Sequence, residues 1–186
     1  MIGRLPTSLN VGGEDLKINT DFRVALLIFK ALNDVNLNNQ DKVFITLDSL
    51  YGIENIPVGH LQDAFDKAKE YLDCGLEHDD RKPRKKMIDW EQDETMIFSS
   101  VNKVAGMETR SKEHIHWWTW YGFFSEIGDG MLSSVLRIRQ KRAKGKKLEK
   151  HEQEFYKENK SIIDFKVKYT DEEQEEIDRI NELLNQ

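Results

Sequence analysis

The stretch Ser111-Lys112-Glu113-His114-Ile115-His116-Trp117-Trp118-Thr119-Trp120-Tyr121-Gly122-Phe123-Phe124-Ser125-Glu126-Ile127 decides the fold. Read as a helix over 111–127, it places aromatic side chains around nearly its whole circumference. A helix that is apolar on every side is normally buried by other elements. The expectation is a helical bundle closed around a centre at Trp117, Trp118 and Tyr121. Gly122 would let a neighbouring helix come close, at a helix-propensity cost of ~1 kcal/mol.

Helical patterns extend on both sides. Upstream, Asp89 with Gln92 forms a capping-box signature, Ile97, Val101 and Val104 follow on one face, and Gly106 is a stop. Downstream, Gly128-Asp129-Gly130 is a turn, and Met131, Leu132, Val135, Leu136 and Ile138 open a helix that turns basic. Leu148, Phe155 and Ile162 recur every seven residues, too briefly for a coiled coil. Thr170 with Glu173 is a capping box for a last helix whose apolar side is Ile177, Ile180, Leu183 and Leu184.

The first seventy-odd residues read differently. Leu9 and Val11, then Gly12-Gly13, then Leu16 and Ile18 spell a small β-hairpin within 5–19. Thr20 or Asp21 can cap a helix carrying Phe22, Ala25, Leu26, Phe29 and Leu32. Asp41 can cap the next, with Val43, Phe44, Leu47, Leu50 and Tyr51, and Gly52 stops it. Leu61, Phe65, Ala68 and Leu72 make a third stripe, ended near Gly75. The fold class is mainly α, a helical bundle with a small N-terminal β-hairpin. The organisation expected is 1–74 as hairpin plus helices, 75–88 as a basic linker around Pro83, 89–169 as an aromatic-rich helical part, and 170–186 as an acidic amphipathic helix.

Composition narrows the function. The 186 residues are 38% hydrophobic and 33% charged, with a formal net charge of -6, which argues against a wholly basic nucleic-acid binder. No apolar run is long enough to span a membrane, and the start has no apolar signal segment, so export by that route is not expected. One cysteine, Cys74, excludes an internal disulfide framework and a cysteine-rich zinc site. His114 and His116 would share a face on a strand but not on a helix, so no metal site is expected. Phosphate-loop, G-x-S-x-G and H-E-x-x-H patterns are missing. We expect no catalytic residues, no cofactor and no enzyme.

Charge is unevenly spread. Arg137, Arg139, Lys141, Arg142, Lys144, Lys146, Lys147 and Lys150 fill one stretch, and Arg81, Lys82, Arg84, Lys85 and Lys86 another. Asp171, Glu172, Glu173, Glu175, Glu176, Asp178 and Glu182 face only Arg179 at the other extreme. Such separation permits head-to-tail contact, within one chain or between copies. The candidate partner-binding residues are Arg137, Arg139, Lys141, Arg142, Ile177, Ile180 and Leu184.

Several segments together resemble the bacteriophage gene-product-fifteen family. These are Ile88-Asp89-Trp90, Asn102-Lys103-Val104-Ala105-Gly106, His116-Trp117-Trp118-Thr119-Trp120-Tyr121-Gly122, Ile138-Arg139-Gln140-Lys141, Gly145-Lys146-Lys147-Leu148 and Glu154-Phe155-Tyr156. Leu5-Pro6 and Asp21-Phe22-Arg23 are similar to it as well. The resemblance implies a tail-morphogenesis protein of a long-tailed phage or prophage, encoded between the major tail protein and the tape measure protein. Proteins encoded there commonly act as tail assembly chaperones. The implied partners are the tape measure protein and the major tail protein, in the host bacterial cytoplasm, with self-association also open. Alternatives are a structural tail component kept in the virion, or an accessory that binds nucleic acid through its basic stretch.

Overall fold

Strands β1 (Ser8–Val11) and β2 (Glu14–Lys17) pair antiparallel, with Ser8 opposite Lys17 and Val11 opposite Glu14. Gly12 and Gly13, at φ 59° and 92°, supply the two positive-φ positions that a tight hairpin turn needs. The computed structural model describes residues 3–76 and 85–184, and every element below lies among them. A two-stranded hairpin is marginal alone, and here it is held down. Val11 is fully buried, and the Gly12 N–H donates to Asp63 at 2.7 Å.

Helix α1 (Phe22–Leu32) is capped by Asp21, whose carboxylate accepts from the Arg23 N–H. It buries Phe22, Ala25, Ile28 and Ala31. Helix α2 (Asn39–Tyr51) starts three residues earlier than the Asp41 cap would allow. Asn38 caps it, and Asp41 returns a bond to the Asn38 N–H as the other half of a capping box. Helix α3 (Leu61–Leu72) follows a short turn. Helix α4 (Glu94–Ala105) ends at the left-handed Gly106. Asp89 does cap, but it caps the turn before α4, accepting from the Glu91 and Gln92 N–H groups.

Helix α5 (Trp117–Ser125) is shorter than its sequence pattern. Ile115 and His116 are extended instead, because His116 forms an antiparallel bridge with Asp21. The Phe22 N–H donates to the Ile115 carbonyl and the Trp117 N–H to that of Thr20. Pairing with the chain entering α1 thus displaces the first turns of the expected helix. The fully buried tryptophans are Trp117 and Trp120, whereas Trp118 and Tyr121 are half-buried. Trp117 is thus where it was expected, and Trp120 takes the central place expected of Trp118 and Tyr121. Open space faces Gly122, so no close helix approach uses it.

Trp120 stacks on Phe22 at 5.3 Å with rings 1° from parallel, on Trp117 at 5.8 Å, and meets Phe98 edge-on. The indole N–H groups of Trp117 and Trp118 donate to the carbonyls of Leu72 and Tyr71 at 3.0 and 2.9 Å. Those carbonyls sit in the last turn of α3, where the Tyr71 carbonyl also accepts from the Cys74 N–H at 3.0 Å. One continuous core joins Val11, Phe22, Leu47 and Ala68 to Ile97, Trp117 and Leu132, so residues on both sides of 75–88 share it.

Helix α6 (Met131–Ala143) carries a smaller second core of Val135 and Ile138. Helix α7 (Lys150–Glu158) with Phe155, Leu148 in the loop before it, and the single turn α8 (Lys160–Ile163) with Ile162 and Ile163 cover this core. The seven-residue repeat is thus real packing, bent across a loop and two short helices. Helix α9 (Asp171–Leu184) ends the description, opened by the Thr170–Glu173 capping box. The protein is mainly α with a two-stranded N-terminal hairpin. No described helix is long and apolar enough to cross a membrane.

Candidate functional site

The basic face of α6 is largely consumed inside the molecule. Leu132, Val135 and Arg139 fall at i, i+3 and i+7, so Arg139 points inward and is only 5% exposed. Its guanidinium donates to both carboxylate oxygens of Asp93, at 2.5 and 2.9 Å. It also donates to the carbonyls of Met87, Ile162 and Ile163, and lies 4.2 Å from the Phe165 ring centre. Arg139 is thus an internal tie between α4, α6 and the α8 end, and presents nothing to a partner.

The other candidates on this stretch are also engaged. Lys141 bridges Glu149 and Glu152 at 3.2 and 2.7 Å. The Glu152 hydrogen bond is the main cause holding the Lys141 pKa above its ordinary value, and Lys141 in turn holds Glu152 below its own. Arg142 pairs with Asp164 and sits 4.5 Å over the Tyr156 ring. Arg137 keeps a looser 3.6 Å contact with Glu152 and is half exposed. Sequence order showed the cations but not the acids of α7 brought against them. Arg139 had a legible signal in its spacing from Leu132 and Val135. Asp93, four residues before Ile97, had one too.

His114 and His116 are engaged in structural contacts. His116 caps α5: its Nε2–H donates to the Pro6 carbonyl at 2.8 Å, and its Nδ1 accepts from the Trp118 N–H. His114 bonds Thr20 at 2.9 Å. Among the described residues no group of three or more His, Cys, Asp or Glu could hold a metal ion. Burial, aided by Asp73, pushes the Cys74 thiol up to about 12, the reverse of an activated nucleophile. Of the other basic cluster, 81–84 lie outside the described residues. Lys85 donates to the Ala143 carbonyl, and Lys86 pairs with Asp89 at 2.7 Å.

Apolar surface remains open to a partner. Two grooves flank α4. The first, about 370 Å³, runs between α1 and α4 over Leu26, Leu27, Trp90, Ile97 and Phe98, and Leu27 is 53% exposed. Its rims mix Arg23 and Lys30 with Glu91 and Glu94. The second, about 510 Å³, runs between α4 and the α5–α6 turn over Met96, Val104, Ile127 and Met131. Sequence reading missed both, because each is made of residues from helices that periodicity treats separately. The face of α9 is also open, with Ile180 47% and Leu183 67% exposed beside a half-buried Ile177. Leu184 is helical.

The family described as Bacteriophage Gp15 protein matches residues 1–165. The chain belongs to this family. The match covers the hairpin, both cores and every helix from α1 to α8, and stops at Phe165, which Arg139 holds. Helix α9 lies beyond it. No curated protein and no solved structure matches the chain. Membership of the Gp15 family makes this a phage structural or morphogenesis protein.

Proposed function

We propose that this Gp15-family protein is a non-enzymatic tail assembly chaperone, acting in the host bacterial cytoplasm and holding the tape measure protein while the tail is built. The observation that carries the reading is the pair of apolar grooves on either side of α4. A long helical rod presents apolar side chains at i, i+3, i+4 and i+7, and a groove between two helices receives such a stripe. Mixed-sign rims suit a binder that must take many similar helical segments in turn, since they set register without demanding one sequence. The engaged basic face of α6 leaves less charge for nucleic acid than its sequence suggests.

The test is co-expression with the tape measure protein of the same phage, followed by sizing with light scattering. The expected result is a stable complex, with the tape measure protein soluble only when this chain is present. Leu27→Glu with Val104→Glu should abolish capture while leaving the melting transition in place, because both side chains are exposed. An insoluble tape measure protein in both cultures, with this chain in purified virions at fixed stoichiometry, would replace the chaperone reading with that of a structural tail part.

A further inference from the structure

We infer that copies of this chain associate head to tail, the acidic helix α9 of one copy lying in the lysine-rimmed groove around Phe165 of the next. The groove is shallow, about 600 Å³, and is lined by Lys157, Lys160 and Lys166 with Glu158, Asp164 and Phe165, and Arg142 already pairs with Asp164, so the lysines leave it basic. Among the described residues these lysines have no ion-pair partner, in contrast to Lys141 and Arg142 nearby. Helix α9 offers the complement, an open stripe of Ile177, Ile180 and Leu183 with Glu172 and Glu176 beside it at helical spacing. Glu172 has no ion-pair partner among the described residues, and Glu176 has only a 3.4 Å contact with its neighbour Arg179.

Charge decides the occupant. Two α9 helices pairing with each other would bring like charges together, which disfavours that symmetric contact. A polyanion such as DNA would match the lysines but leave the apolar stripe of α9 uncovered. The chain's own α9 is led elsewhere. The Lys166 N–H donates to Gln92, Lys168 pairs with Glu91 at 2.8 Å, and the Asp171 N–H donates to Asn36, in the loop between α1 and α2. This pinned connector starts α9 at Asn36 and favours the groove of a second copy. A contact between two different surfaces is heterologous, so it repeats, closing into a ring or extending as a helical array.

The inference needs only this chain, so it stands or falls apart from the chaperone reading. Sedimentation velocity of the full chain should show association that grows with concentration and weakens with salt. Two reversed variants, Lys157→Glu/Lys160→Glu/Lys166→Glu and Glu172→Lys/Glu176→Lys, should each be monomeric with unchanged circular dichroism. Mixed one to one, they should associate again, because the intact α9 of one meets the intact groove of the other and the two reversed surfaces are also of opposite sign. A chain that stays monomeric at every concentration overturns the inference. So does an association that survives both reversals, a mixture that stays monomeric, or a lysine variant that loses DNA binding while self-association persists.

Discussion

Arg139 of α6 and Asp93 at the start of α4 form a two-pronged ion pair sealed from water, their side chains 3% and 0% exposed. The same arginine holds three carbonyls, and Asp93 also accepts the Asp89 N–H at 2.9 Å. Removing one partner leaves the other charged and buried. Arg139→Met should cost about 3–5 kcal/mol in urea unfolding. Asp93→Leu combined with Arg139→Met should recover part of that loss, since no charge then remains inside. A single mutant as stable as the parent would show that the pair is not sealed.

Trp120 and Trp118 separate the core from its edge. Trp120→Ala removes the ring that Phe22, Trp117 and Phe98 all touch, and should cost about 3–5 kcal/mol. Trp118→Ala should cost less than half as much, because its ring is only half-buried and its main loss is the bond to the Tyr71 carbonyl. Thermal unfolding of the two variants side by side checks the order.

Gly12 is required twice over. Its φ of 59° suits glycine, and a Cβ there would stand 2.6 Å from the His60 ring. Gly12→Ala should therefore cost at least about 1–2 kcal/mol. Gly13→Ala meets open space and should suffer only the backbone strain of its φ of 92°. The difference between the two urea midpoints reads the His60 contact.

Acid should loosen the join between α4 and the α9 connector. Burial pushes the Asp89 carboxyl up, but the Gln92 N–H, Lys86 and Lys168 outweigh it and hold it well below the usual carboxylate range. Glu91 is also lowered, first by Lys168 and then by Lys30. A depressed folded-state pKa stabilises the fold above the unfolded carboxylate value of about 4, and that contribution is lost as pH falls through the folded value. The melting temperature should hold from neutral pH to about pH 5 and fall below about pH 4. Asp89→Asn should flatten that fall and lower the neutral-pH plateau.

Local signals carried most of the architecture. Gly12-Gly13 between alternating residues located the hairpin, and the stripes of α1, α3 and α4 were periodic enough to place. What failed was set by distant contacts. Ile115 and His116 have neighbours that favour a helix, yet pairing with Asp21, far earlier in the chain, holds them extended. The candidate surface was less legible than the fold. Arg139, Lys141 and Arg142 look alike in sequence, and only the placement of Asp93, Glu152 and Asp164 distinguishes the buried tie from the surface pairs. The grooves beside α4 need residues from three helices and the turns between them, and have no signature in any one of them.

The Phe22–Trp120 stack bears on the order of synthesis. A ribosome that has released the hairpin and the first three helices has not yet made the ring that covers Phe22, nor the Trp117 indole that caps α3 at Leu72. That nascent segment must wait, with its apolar faces unfilled, until translation passes Trp120. Chains stalled before Trp117 should stay open to protease, and chains stalled after α5 has emerged should resist it. The aromatic run is then the step at which the growing chain commits to its fold.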